Sequence, residues 1–233
     1  MKICGLQKTT LIDYPGKIAC TIFLYGCNFR CGFCYNAELV TEEAYSSFSE
    51  KEILIFLEQR KGKLDAVCIT GGEPLLTLDK DFLIQIKSMG YLVKIDTNGT
   101  NPEKLEEYIE EELIDYVAMD IKNSKEKYDL TANVKVDISL IEKSIKVISQ
   151  LKNYEFRTTI IRDLHTREDI RRIGKWLNEL IKTKPKKYFL QGFKSEGNFI
   201  DKEFATKRNT QERYLKKLKK TAEIYFDLIE VRC

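Results

Sequence analysis

Along these 233 residues six short apolar, β-branched runs alternate with five longer segments of helical periodicity, and that alternation narrows the fold more than any single motif. The runs are Ile18–Tyr25, Ala66–Thr70, Leu92–Asp96, Tyr116–Ile121, Phe156–Ile161 and Tyr188–Leu190. Between them lie helical patterns at Lys51–Arg60, Asp81–Met89, Pro102–Glu111, Ile138–Leu151 and Glu168–Lys182. Ile138, Ile141, Ile145 and Ile148 recur at the spacing of one buried helix face and read as core. Pro102 after Asn101 reads as a helix start, where a missing N–H costs nothing. Strands that alternate with helices pair in parallel through right-handed crossovers, so the fold class is α/β, either an open doubly wound sheet or a full or partial barrel; of these the expectation adopted is a partial (β/α)6 barrel. No repeat or low-complexity linker interrupts the pattern, which predicts one continuous domain over residues 1–233.

In such folds the chemistry sits where strands end. The unusual polar and glycine-rich segments do follow strands. Gly26-Cys27 through Cys34 follows the first, Gly71-Gly72-Glu73-Pro74 the second and Asp96-Thr97-Asn98-Gly99 the third; Asp120-Ile121-Lys122 closes the fourth and Gln191-Gly192-Phe193 the sixth. Five such segments on the C-terminal rim predict one site there.

Cys27-Asn28-Phe29-Arg30-Cys31-Gly32-Phe33-Cys34 puts three thiols within eight residues, close enough for one loop to wrap a compact soft-metal centre. A four-iron cluster held by three thiolates leaves one iron for a substrate. Two other readings stay open at this point. One is a structural zinc site completed by Cys4, Cys20 or the single histidine, His165; the other is three unrelated buried cysteines. Seven cysteines, an odd number, argue against a disulfide framework. Cys20 and Cys68 fall inside strands and read as small hydrophobes, while Cys4 and Cys233 belong to no second triplet. Arg157, inside the fifth strand, reads as a buried guanidinium paired with an anion. His165 reads as a solvated loop residue outside the site.

Composition sets the remaining bounds. Hydrophobic residues make up 43% and charged residues 32%, which excludes wholesale disorder, and the most apolar stretch is far shorter than the ~20 residues a membrane span needs. The N-terminal segment has no apolar signal core, so the expected location is cytoplasmic. A net charge of +3 does not announce a nucleic-acid binder, although Lys182 to Lys220 holds 13 Lys or Arg against 4 Asp or Glu. That stretch reads as a solvated surface rather than a docking face for RNA or an acidic protein.

The run Cys27-x3-Cys31-x-Phe33-Cys34 resembles the cluster motif of the radical S-adenosylmethionine superfamily, with its aromatic residue before the third cysteine. Together with Leu11-Ile12-Asp13-Tyr14-Pro15-Gly16-Lys17, the loop end Tyr35-Asn36 and Gly71-Gly72-Glu73-Pro74, it looks most like the activating enzymes of glycyl-radical enzymes. Within these it is most similar to anaerobic ribonucleoside-triphosphate reductase activating proteins. The resemblance implies that Cys27, Cys31 and Cys34 ligate a [4Fe–4S] cluster and that S-adenosylmethionine binds its open iron. Cofactor contacts would come from Phe33, Asn36, Gly71, Gly72, Glu73, Pro74, Asp96, Thr97, Asp120 and Lys122. Gly71 to Pro74 would hold the amino group; Asp96-Thr97 and Asp120-x-Lys122 would border the carboxylate and ribose. Two carboxylates near a bound carboxylate call for positive charge, which Lys122 or a monovalent cation on Asp96, Thr97 and Asp120 would supply. The implied reaction is reductive cleavage to a 5′-deoxyadenosyl radical that makes a glycyl radical on a partner enzyme. A flavodoxin or ferredoxin would donate the electron, and no membrane is involved. The alternative is radical modification of a small molecule or RNA, as in deazaguanine or tRNA chemistry. Two departures from the family pattern bear on the target: Asp13-Tyr14-Pro15-Gly16 stands where Asp-Gly-Pro-Gly is usual, putting a ring in place of a small residue, and Tyr35 stands where histidine is frequent.

Overall fold

The structure, a computed structural model, describes residues 1–41 and 47–233. In chain order its elements are β1 (Ile3–Thr10), β2 (Ala19–Leu24), α1 (Glu38–Thr41), α2 (Glu50–Gln59), β3 (Ala66–Gly71), α3 (Lys80–Ser88), β4 (Leu92–Thr97) and α4 (Pro102–Glu110). There follow β5 (Tyr116–Asp120), α5 (Tyr128–Ala132), α6 (Ile138–Ser149), β6 (Tyr154–Ile160), α7 (Arg167–Ile181), β7 (Lys187–Gly192), α8 (Glu212–Ala222) and β8 (Leu228–Arg232). The strands hydrogen-bond in the order β1 to β8 as one sheet, so each strand neighbours the next in sequence. The six strands read from the sequence are all present, as β2 to β7, and the α/β class with parallel pairing holds. No helix among the described residues is long and apolar enough to cross a membrane.

Residues 1–28, 36–97 and 103–117 form one compact unit. In it β1 runs antiparallel to β2, while β2, β3 and β4 are parallel, with Ala19 opposite Ala66 and Ala66 opposite Leu92. These three residues pack with Tyr14 and Tyr116 into an apolar cluster. Two residues along, on the same face, Thr21, Cys68 and Lys94 are register partners and form a polar row across the three strands. Helix α2 starts at Ser49, whose hydroxyl accepts from the Glu52 N–H while the Glu52 carboxylate accepts from the Ser49 N–H; it buries Ile53 and Leu57. Asp79 caps α3, which buries Phe82, Leu83 and Ile86.

Residues 29–35, 98–102 and 118–233 form the second unit, where β6, β7 and β8 are parallel. Ile141, Ile145 and Ile148 of α6 are fully buried, and Ile138 at its first turn is half-buried. Thr166 and Asp169 cap α7 reciprocally, as Ser49 and Glu52 do α2. β8 and α8 go beyond the sequence expectation. In β8 the residues Leu228-Ile229-Glu230-Val231-Arg232 alternate weakly, and only Ile229 is fully buried. In α8 the buried Leu215, Leu218 and Ala222 keep helical spacing among lysines, so the charge run masked the stripe.

Candidate functional site

The turn after β3 is built around the chain that enters the cysteine loop. Gly71 has φ +122°, and a Cβ there would overlap the backbone of Leu24; a Cβ on Gly72 would overlap the Gly26 carbonyl and lie 3.1 Å from the Cys27 nitrogen. Glycine is required at both positions by backbone-to-backbone approach. The Gly72 N–H donates to the Leu24 carbonyl at 3.0 Å and the Glu73 N–H to the Gly26 carbonyl at 2.7 Å. Asn36 closes the far side, its Nδ2 donating to the Gly71 carbonyl at 3.1 Å. Glu73 is 1% exposed. Its Oε1 accepts from the Leu75 N–H at 3.2 Å and from the Thr97 hydroxyl at 2.8 Å, which ties the ends of β3 and β4 together. Pro74 is buried at the start of a short 3-10 turn. Thus Asn36, Gly71, Gly72, Glu73, Pro74 and Thr97 meet in one unit beside Cys27. Asp96, the residue before Thr97, is ion-paired with Lys94 on the same face of β4.

In the other unit, Cys31 and Cys34 sit on a turn closed by the Cys34 N–H on the Cys31 carbonyl at 3.0 Å. Both sides of this turn are held. The Arg30 N–H donates to the Ala132 carbonyl at 2.9 Å, and Asn133, in the left-handed conformation at φ 55°, donates from Nδ2 to the Arg30 carbonyl at 3.2 Å. The Gly32 carbonyl accepts from the Asp201 N–H at 3.0 Å, and a Cβ on Gly32 would lie 2.8 Å from the Phe204 ring. Phe33 is buried with its centroid 5.9 Å from that of Phe204, and Phe204 packs in turn on Phe193 and Phe199. Tyr35 stacks on Phe193, and its hydroxyl accepts from the Lys194 N–H at 2.7 Å. Phe33 therefore anchors the loop to an aromatic set from residues 193–204, a partnership that spacing alone does not reveal.

Asp120, at the end of β5, is paired with two cations of its own unit. Arg157 Nε donates to its Oδ1 at 2.6 Å and Lys122 Nζ to its Oδ2 at 3.0 Å. Burial alone would raise the Asp120 carboxyl; the two cations outweigh it and hold the group well below the usual carboxylate range. Burial likewise opposes the Lys122 charge, and Asp120 outweighs it. One carboxylate against two cations leaves a net positive charge, suited to an anionic group. Arg157 thus has the anion partner expected of it. Burial pushes the Cys31 thiol up, and the Lys122 ammonium pulls the other way.

His165 is fully buried, contrary to the expectation of a solvated loop residue. Its Nε2 lies 2.8 Å from the Lys122 carbonyl and its Nδ1 3.1 Å from the Ile161 nitrogen, so it pins the backbone that carries Lys122. Sequence gave no warning, because its partners are main-chain atoms. Lys94 also escaped notice, though here a signal was present: a lysine between Val93 and Ile95 in a buried strand, two residues from an aspartate.

All seven cysteines are free thiols, including the buried Cys31 and the half-buried Cys27 and Cys34. Among the described residues no three Cys, His, Asp or Glu side chains are already drawn around a metal-sized centre. The fit to an iron–sulfur cluster rests on donor chemistry: three soft thiols on one eight-residue loop, deprotonated as metal binds, with flanking backbone held by hydrogen bonds.

A family model described as the Radical SAM superfamily matches residues 21–180. A Methanocaldococcus jannaschii protein provisionally named a glycyl-radical enzyme activating enzyme is 36% identical over 239 residues, covering 99% of this chain and 95% of the relative. The pyruvate formate-lyase-activating enzyme of Listeria monocytogenes is 30% identical over 154 residues, 60% of this chain and 61% of that protein. In fold, the chain is similar to Streptococcus suis SuiB bound to S-adenosylmethionine, with a TM-score of 0.66 at 16% identity over 91% of this chain and 52% of that one.

Proposed function

Because the chain belongs to the radical SAM superfamily and, within it, to the glycyl-radical enzyme activating enzymes, we propose that it generates the glycyl radical of an anaerobic ribonucleoside-triphosphate reductase. Cys27, Cys31 and Cys34 hold the [4Fe–4S] cluster. The chemistry the cluster would supply is one-electron reduction of S-adenosylmethionine, with the electron from a flavodoxin or ferredoxin, to methionine and a 5′-deoxyadenosyl radical that would take a glycine α-hydrogen.

The chain's own residues position and neutralise. The Gly71-Gly72 turn sets where Cys27 leaves β2, and Asn36 fastens that turn to the far end of the loop. In this proposal Glu73 and nearby carbonyls would accept from the amino group of S-adenosylmethionine, and Asp96-Thr97 and Asp120-x-Lys122 would border its carboxylate and ribose. Arg157 and Lys122 together exceed the Asp120 charge and leave room for one more anion. The cell compartment in this reading is the cytoplasm.

The observation that carries the reading is the three-thiol loop, whose entry into Cys27 two obligatory glycines grip. The test is anaerobic: cluster-reconstituted protein, S-adenosylmethionine, a strong reductant and the reductase from the same source, followed by electron paramagnetic resonance. The expected result is a glycyl doublet on the reductase. Accumulation of 5′-deoxyadenosine without a protein radical would overturn the target and turn attention to small molecules and RNA. An intact cluster that yields neither would overturn the radical chemistry.

A further inference from the structure

Lys94 lies in the middle of β4 with a side chain only 3% exposed, and its ammonium is ion-paired with Asp96 two residues on. Two further neighbours carry no charge. The Tyr116 ring centroid is 5.9 Å from Nζ, and the register partner across β3 is Cys68, whose thiol burial pushes up so that it stays uncharged at neutral pH. Asp13, the next acid near this row, accepts from the Thr21 hydroxyl at 2.6 Å. An ammonium this deep is kept by a partner, and here the partner is Asp96.

Resemblance to other activating enzymes offers Asp96, Thr97 and Asp120 as ligands of a monovalent cation. Within its own unit each of the three already has a protein partner. Asp96 has the Lys94 ammonium, the Thr97 hydroxyl donates to Glu73 at 2.8 Å, and Asp120 is held by both Arg157 and Lys122. The two carboxylates thus already have, each within its own unit, the positive charge that a small cation would bring.

We propose that Lys94 is the built-in positive charge of this site: it neutralises and aims Asp96, so that S-adenosylmethionine binds without a small monovalent cation. Lys94 is a positioning residue, acting through Asp96, and its role rests on the radical SAM reading above. A lysine two residues before the aspartate, on the same strand face, does with a covalently tethered charge what a diffusible ion would otherwise do. A tethered charge is present at any salt composition.

The experiment measures binding of S-adenosylmethionine itself, without reductant so that none is cleaved. Cluster-loaded protein, its iron content verified, is titrated calorimetrically in sodium, potassium or tetramethylammonium chloride at equal ionic strength. For the wild type the dissociation constant is expected to agree within about twofold across the three salts. Lys94→Met keeps most of the side-chain length and removes the charge. It is expected to bind about tenfold more weakly in tetramethylammonium and to recover in sodium or potassium, which can occupy the space beside Asp96. A wild type that weakens about tenfold when the small cation is withdrawn would overturn the proposal, and this arm decides even if the variant does not fold. A variant that binds like the wild type, or that loses affinity equally in all three salts, would also overturn it. Wild-type protein that binds in none of the salts would overturn the parent reading as well.

Discussion

A methyl group added at Gly72 would overlap the Gly26 carbonyl oxygen and press on the Cys27 nitrogen at 3.1 Å. Neither obstacle is a flexible side-chain end, so Gly72→Ala must move the strand end or the turn, at a cost of roughly 2 kcal/mol or more. The Cys27 thiol would shift with it. The expected outcome is a folded but destabilised protein with clearly less iron per chain after reconstitution, read by urea unfolding and iron analysis. Normal iron loading would show that the grip on Cys27 is dispensable. A second residue-scale prediction concerns His165, the only histidine in the chain. Burial lowers its pKa, backbone hydrogen bonds and Asp169 working the other way and Lys127 reinforcing the effect. The folded state therefore keeps it neutral below the ordinary value of about 6.5, while the unfolded chain takes up a proton. Stability is fully present above that value and falls by up to about 1.4 kcal/mol per pH unit below it, until the folded histidine titrates. Carboxylates titrate mostly lower, which leaves the interval from about pH 6.5 to 5 to His165. His165→Gln is expected to be less stable at pH 7 and to lose most of the slope in that interval, as unfolding titrations at a series of pH values would register. An unchanged slope would remove His165 from the account.

At the scale of elements, residues 193–204 back the turn that carries Cys31 and Cys34. Phe204 touches Phe33, Phe193 and Phe199, and the backbone of Asp201 donates to Gly32. Phe204→Ala should cost about 3 kcal/mol through the cavity it leaves, and Phe204→Leu about half of that. The functional consequence is specific: with its backing thinned, the cysteine turn should hold a cluster less long. Reconstituted Phe204→Ala is therefore expected to bleach faster in visible absorbance under a chelator than the wild type, with Phe204→Leu between them. Equal bleaching would mean that the turn holds itself. This clamp also marks where sequence reading ran out. The spacing of Cys27, Cys31 and Cys34 is local and could be read directly. Phe33 pairs with a ring 171 positions away, on a segment with no regular period, so nothing local announces the contact. The Lys94–Asp96 pair was readable in principle, since period-two placement puts both on one strand face. A lysine in a strand is nonetheless more often a surface charge than a buried one, so spacing alone does not show that Lys94 faces inward.

Over the whole molecule, the alternation of apolar runs and helical periods was enough to identify β2 to β7 and the α/β class, because a strand buried on both faces leaves little freedom in residue type. β1 and β8 lacked that constraint. β1 is exposed along Gln7 to Thr9, and β8 has two exposed residues out of five, so their compositions are those of surface. The substrate is a property of the whole chain that no single motif settles. The basic stretch from Lys182 to Lys220 would suit RNA, yet part of its charge is already used: Lys207 pairs with Asp163 and Lys216 with Glu212. An isotopic experiment separates the candidates by where the abstracted hydrogen comes from. A glycine α-hydrogen is a good donor because the amides on both sides delocalise the radical left behind. If the proposed partner reductase is produced with glycine deuterated at the α-carbon, the 5′-deoxyadenosine released by this enzyme is expected to carry one deuterium by mass spectrometry. The same reaction with unlabelled reductase in heavy water should leave it unlabelled in the first turnover. Deuterium absent from the first and unlabelled 5′-deoxyadenosine formed in both would exclude the glycine as donor, and the hydrogen would then have to come from a small molecule or a nucleic acid.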